Sequence, residues 1–252
     1  MRALLSRGRF AVLRAFSAVV LVFAVSGVAG AAEIYLYGDF RGSFGSGEFS
    51  GYLDAAPTPR AISGEDGDWS WSFALALGIA QSLEKWELWG RSLDGWALRG
   101  EIEFGPRRDY ELSTSGPLGP SSVLGAHIKA RTLMGDFWLD FPIHRELSGY
   151  AGFGVGVAGA SISAGDRGYS SDYWGSRKES EFAFQVGAGF EYPLLENLRV
   201  SLGYRYVHLG GYEADLVDNS GNDTGRVEVD LASHELLVGL RLSFDILPSP
   251  FD

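Results

Sequence analysis

Eight stretches of this chain alternate apolar and polar residues with a period of two, and that alternation limits the fold more than any other feature. A period of two sends successive side chains to opposite faces of a β-strand, so each stretch predicts a strand with one apolar face. The first run, 33–44, has Ile34, Leu36, Phe40 and Phe44 on one face and Glu33, Tyr35, Tyr37, Asp39 and Arg41 on the other. The second sets Trp69, Trp71, Phe73, Leu75, Leu77 and Ile79 against Ser70, Ser72, Ala74, Ala76 and Gly78. Six more follow, over 96–104, 126–141, 150–163, 182–192, 198–206 and 236–244. Most runs are about 10–13 residues long, twice an ordinary strand and close to the length of a tilted strand that crosses a bilayer. After residue 31 there is no apolar stretch long enough for a membrane helix.

The connections alternate in length. Long ones cover 45–68, 107–124, 165–181 and 210–231; shorter ones cover 81–94, 142–149 and 194–197. Short turns at one end and long loops at the other are the pattern of an outer-membrane barrel. In hydrocarbon every backbone N–H and C=O needs a protein partner, so a sheet there must close on itself. The expected fold is therefore all-β, an eight-stranded antiparallel up-and-down transmembrane barrel over 32–244. The 81–94 insert, with its Lys85-Trp86-Glu87-Leu88-Trp89 core, exceeds a short turn and predicts either extended strands or an interfacial segment. The run at 126–141 changes character near Thr132. Its polar residues are first His127, Lys129 and Arg131, then Asp136 and Asp140 on the other face. Either a β-bulge or a basic end protruding beyond the bilayer gives that pattern.

Alternation does not say which face points inward, and a soluble barrel would enclose its apolar face. Two features favour apolar-out. The polar face mixes Gly and Ala with charge: Asp39, Arg41, Arg99, Glu101, Glu103, Asp136, Asp140, Glu191, Arg199, Arg205, Glu235 and Arg241. Small residues and paired ions suit a narrow lumen, where only side chains or one small ligand fit. Aromatics also cluster near the run ends, with Trp69, Trp71, Phe182 and Tyr206 towards the long loops and Trp96, Tyr192 and Phe244 towards the short turns. Those are the two interfacial girdles of a membrane barrel.

The first 31 residues read as a secretory leader: Arg2, Arg7, Arg9 and Arg14, an apolar segment over 16–28, then Ala29, Gly30 and Ala31. Removing it takes away four Arg and no acid, so the exported chain is more acidic than the formal −11. With no Cys there is no disulfide scaffold and no thiolate metal site. An acidic chain without a basic run is no nucleic-acid binder. Export and a membrane barrel together place the protein in a cell outer membrane, with residues 245–252 as a short C-terminal tail.

The segments FAFQVGAGFEY at 182–192, NLRVSLGYRY at 197–206 and HELLVGLRLSF at 234–244 resemble the OmpA-like and opacity-type family of small outer-membrane barrels, as do WLDFP at 138–142 and YAGFGVG at 150–156. The resemblance implies outer-membrane lipid and lipopolysaccharide as surroundings. It also implies recognition by the barrel-assembly machinery, through a terminal signal formed by Gly239, Leu242 and Phe244. Leu237 departs from that signal, which usually has a polar residue there. The implied role is structural or surface-exposed: envelope integrity, and contact with a surface ligand through the long loops. A narrow channel or small-molecule transporter and an adhesin are the alternatives.

Nothing in the sequence assembles catalytic, cofactor or metal chemistry. Lipid A deacylase barrels carry a His-x-Ser pair on a late strand; here His208 is followed by Leu209 and Gly210, so the nucleophile is missing. The oxygen-rich segment 215–225 lacks the spacing of a calcium loop. Pairing Leu202 with Leu240 would set His208 opposite His234 on the outward face, a rim contact or a weak metal pair.

Overall fold

The structure is a computed structural model that describes residues 32–54, 59–116, 122–166 and 173–245. The expected leader and residues 246–252 lie outside the described residues. Eight long strands carry the fold: β1 (Ala32–Leu53), β2 (Arg60–Ser82), β5 (Ala97–Ser115), β6 (Val123–His144), β7 (Leu147–Asp166), β8 (Tyr173–Leu195), β9 (Leu198–Asp218) and β10 (Asp223–Asp245). Two short strands, β3 (Glu87–Leu88) and β4 (Arg91–Ser92), pair between β2 and β5. Each long strand lies antiparallel to its neighbour, and β1 closes on β10 through Phe40 opposite Val238.

The register fixes the tilt. Leu36 leads through Leu77, Ile102, Gly135, Val155, Phe184, His208 and Ala232 back to β1 at Ser46, ten residues further along. With about 3.3 Å per residue and about 4.8 Å between strands, that stagger means a tilt of about 40° and a rise of about 2.5 Å per residue. The long strands have 19–23 residues, not 10–13. Each therefore spans about 50–55 Å, against an apolar band of about 25 Å. Most of what sequence reading assigned to the four long loops is strand, and the barrel continues well past the bilayer.

The outer wall changes character along that height. Ile34, Leu36, Phe40 and Phe44 on β1, Trp69 to Ile79 on β2, and Leu236, Val238, Leu240 and Phe244 on β10 project outward and exposed. Further along the same faces stand Glu48, Glu65, Lys129, Lys178, Asp215, Glu228 and Asp230, also exposed. The interior changes in the opposite sense. Beside the apolar belt it holds charge; above, it holds Phe49, Leu53, Ile62, Leu112, Leu124, Ile128, Leu216 and Val229, all buried. One closed wall is thus apolar-out in lipid and apolar-in in water.

That inversion explains β6. His127, Lys129 and Arg131 share the outward face of Leu133 and Phe137, and the β6–β7 ladder runs through Thr132 opposite Ala158 without a break. The basic end protrudes, and the bulge lies on the neighbouring β5, between Gly105 and Arg108.

Two ladders lapse, that between β2 and β5 from within the upper part of the belt and that between β8 and β9 beyond Phe184. Between β2 and β5 backbone pairing stops at Leu75 opposite Phe104. Beyond it Ser70 Oγ and the Asp68 and Asp66 carboxylates accept from the N–H groups of Asp109, Glu111 and Ser113 at 3.2, 2.8 and 2.7 Å. Between β8 and β9 pairing lapses from Trp174 to Phe184, and Glu179 accepts from the Glu213 N–H at 3.0 Å. Side chains there satisfy backbone donors that the ladder leaves open.

The 81–94 insert is a small hairpin, extending neither barrel strand. Its turn has φ of 51° at Trp89 and 75° at Gly90, the two positive values of a type I′ turn. Trp89 is 93 % exposed in that strained position. At the opposite end, Asp218 accepts from the Asn222 side-chain amide and from the Asn222 and Ser220 N–H groups at 2.8–2.9 Å. These bonds hold its carboxyl below the ordinary carboxylate range. The oxygen-rich 215–225 segment thus closes a turn with its own N–H groups.

The two-zone wall predicts that the cost of an outward charge depends on height. Leu202→Arg, exposed within the belt, should destabilise the vesicle-refolded barrel by about 2–4 kcal/mol in urea unfolding. Ser50→Arg, outward above the belt, should change it by less than about 0.5 kcal/mol. Equal costs would contradict the placement of the belt.

Candidate functional site

The lumen within the belt is the most concentrated chemistry in the molecule. It forms because alternate residues of every strand must point into a space too narrow for water, so what points inward must be small or paired. Tyr side chains lie across glycines: a Cβ at Gly78 would meet the Tyr35 ring, one at Gly239 the Tyr37 hydroxyl, and one at Gly203 the Tyr150 hydroxyl, all under 2.5 Å. Gly239, expected as part of the assembly signal, therefore also makes room for a lumen ring. Leu242 is half-buried and Phe244 exposed on the outer face of the same strand, and Leu237 is buried against the lumen.

The charges form two clusters. In the upper one, Arg41 binds Asp39 through Nε and Nη2 at 2.5 and 2.6 Å and reaches Glu103 at 3.2 Å. Arg205 bridges Glu103 at 2.7 Å and Glu235 at 2.6 Å. Arg108 binds Glu235 at 2.6 Å and donates to Thr132 Oγ1 at 3.1 Å. In the lower cluster, Arg99 contacts Asp140, Glu191 and Glu101 at 2.9, 3.2 and 3.4 Å. Arg241 contacts Glu191 at 2.6 Å and Asp140 at 3.5 Å. Tyr35 donates to Glu101 at 2.8 Å, and its ring lies 5.3 Å from the Arg241 guanidinium and 5.9 Å from that of Arg99. Among the described residues Asp136 has no Arg ion-pair partner; Gln185 donates to it at 2.5 Å and its second oxygen accepts no hydrogen bond.

Eleven of the twelve lumen residues named from parity are buried in this network. Arg199 is not. It is half-buried at the short-turn end, opposite Pro193 and Arg241, and enters no ion pair among the described residues. The fifth guanidinium is Arg108 instead. It falls in the expected 107–124 loop, because the bulge at 105–108 breaks the parity that would turn it inward. The polar partners Tyr35, Thr132 and Gln185 carry no charge and so gave no signal by composition.

The interior is filled. The space left between the two clusters is about 20 Å³, lined by Tyr37, Arg99, Glu101, Tyr150 and Glu191 among others, room for about one water. Above it lies the apolar core.

The expected girdle residues lie on the outer wall. Trp69, Trp71, Phe182, Tyr192 and Phe244 are exposed; Trp96 and Tyr206 are half-buried. Trp71 stacks on Phe40 at 5.5 Å, and Trp96 packs on Phe141 at 5.7 Å. The histidine register differs from expectation: Leu202 pairs with Val238, so His234 stands opposite Tyr206 and His208 opposite Ala232. His234 Nδ1 instead bonds the Tyr204 hydroxyl at 2.6 Å, and no metal-ligating cluster forms among the described residues. Gly210, at the missing nucleophile position, has φ of 97° beside a register shift, which favours glycine.

Eight closed strands with apolar side chains outside and paired ions inside are a wall built for a bilayer. The chain belongs to the outer membrane protein β-barrel family. The family model for the outer membrane protein beta-barrel domain matches residues 15–244. Solved structures similar to this barrel include Neisserial surface protein A (14 % identity, 84 % of this chain and 99 % of that one, TM-score 0.35). The outer membrane protease OmpT of Escherichia coli is another (11 %, 83 % and 97 %, 0.45). So is the outer membrane protein OprG of Pseudomonas aeruginosa (16 %, 86 % and 98 %, 0.45). No curated protein matches the sequence. This member of the family resides in the outer membrane.

The network makes a sharp mutational contrast. Glu235 holds Arg108 and Arg205 at 2.6 Å and lies 3.6 Å from Arg41. Glu235→Ala leaves three buried guanidinium groups short of a partner and should cost about 3–5 kcal/mol in urea unfolding. Arg199→Ala, outside the network, should cost less than about 0.5 kcal/mol.

Proposed function

We propose that this barrel is a non-enzymatic, sealed pillar of the outer membrane that supports envelope integrity and carries an extended charged wall above the lipid. The observation that carries the reading is the continuous filling of the interior, five guanidinium groups against seven carboxylates in the belt and an apolar core above. An open pore needs a water path, and a core of Leu, Ile and Val across the outward half offers none. The preferred reading over a channel or transporter is therefore a closed barrel. The strands continue through most of the expected loops, so any surface ligand would meet four short tips and the charged outer wall above the lipid. The adhesin alternative thus concerns the charged outer wall above the lipid as well as the tips. We further propose outer-membrane lipid and lipopolysaccharide as the barrel's neighbours, and the assembly machinery as its partner during insertion through β10.

The test is conductance. Folded protein, verified by its shift in gel mobility between unheated and boiled samples, should give a flat trace in planar bilayers at 100 mM-scale salt. Regular steps from the folded form would overturn the sealed reading in favour of a narrow channel.

A further inference from the structure

The chain has three lysines, and two of them stand together on the outer wall above the belt. Lys129 on β6 and Lys178 on β8 flank Ser161 of β7 in register. One step nearer the belt, Arg131 lies opposite Gly159, which pairs on its other side with Ser180. Arg107, on the β5 bulge, borders the same depression, whose volume is about 360 Å³. Long basic side chains on two strands thus rise on either side of a floor of small residues. A Cβ on Gly159 would meet only Ser180 Oγ, at 3.6 Å, so nothing fills that floor.

Three of these four cations lack an ion-pair partner among the described residues. Arg107 pairs with Asp109, but Lys129, Arg131 and Lys178 enter no ion pair among the described residues. Glu179, also at the edge, is taken by Arg177 at 2.8 Å. Asp109 of β5 lies opposite Lys129 in register and is bound by Arg107; the far side of the wall is acidic, with Glu48, Glu65, Glu228 and Asp230 exposed. A chain of net charge −11 has therefore gathered unpaired positive charge on one face.

The height identifies the occupant. Arg131 is one outward position above Leu133, and Lys129 is two. Each outward position is about 5 Å along the barrel axis at this tilt. Arg131 and Lys129 thus stand about 5 and 10 Å above the apolar belt on β6, and Lys178, two outward positions beyond Phe182 on β8, about 10 Å above it there, at the layer of lipid headgroups. We infer that this groove binds the phosphate of a phosphorylated outer-leaflet lipid, with Lys129, Arg131 and Lys178 as charge-assisted donors and Arg107 at the rim. The inference rests on the outer-membrane reading of the barrel and adds to it one defined lipid site.

Folded protein in phosphatidylcholine vesicles, with and without diphosphorylated lipid A, provides the test. Native mass spectrometry reads retained lipid A, and gel mobility reads the fold independently. The native chain should retain lipid A, and the K129Q/R131Q/K178Q variant should fold and shift normally yet retain it about a hundredfold less. Dephosphorylated lipid A should be retained no better than phosphatidylcholine. Equal retention by native and variant barrels would overturn the assignment, as would equal retention of the dephosphorylated lipid. Binding of a sulfated polysaccharide through these residues without lipid A retention would overturn it too, in favour of a soluble polyanion. A variant that fails to fold is replaced by the single changes, Lys129→Gln and Lys178→Gln, each of which should lower retention by about fivefold.

Discussion

A bilayer offers no water to a backbone, so within it each peptide N–H and C=O must be paired by the protein. The rest of the structure depends on that constraint. It requires the sheet to close through β1 and β10, and eight strands with a ten-residue stagger close it around a narrow bore. A narrow bore excludes most water and so requires its inward residues to be small, aromatic over glycine, or ionically paired. The Arg–carboxylate clusters are the consequence. Buried ions are costly to strand and need mutual satisfaction, which is why Glu235 serves two guanidinium groups at once.

Beyond the lipid the same closed wall meets water on its outside, and the hydrophobic effect reverses its faces. Apolar residues turn inward and form the core around Ile128, Leu216 and Val229, and charges turn outward. Above the belt, Asp66, Asp68 and Glu179 close gaps in the ladders between β2 and β5 and between β8 and β9. The two halves are one barrel in two solvents. Between them runs the headgroup layer, where the outer wall changes from rings to charges and where the basic groove stands.

Much of this was legible in the residues. The alternation at Trp69–Ile79 or Leu236–Phe244 has one reading, because exposed apolar residues at every second position make sense only against lipid. Eleven lumen charges followed from parity alone. Parity misleads where it is interrupted or where its meaning changes. Arg108 was hidden by the bulge at Gly105–Arg108, and Arg199 kept the right parity but fell at the end of the bore. The segment 45–68, rich in Gly, Ser, Asp and Pro, reads as a loop; it is largely strand, because Phe49, Leu53 and Ile62 find a shared core across the barrel.

By itself the sequence determined the fold class, the strand number, the membrane as solvent and the sign of each face within the belt. Those follow from local alternation, which each strand carries on its own. Only the tertiary structure decided how far the barrel rises, which guanidinium meets which carboxylate, that the lumen is filled, and that Lys129, Arg131 and Lys178 share one groove. These depend on register between strands distant in sequence, and a stagger of ten residues around the barrel is a property of no single strand.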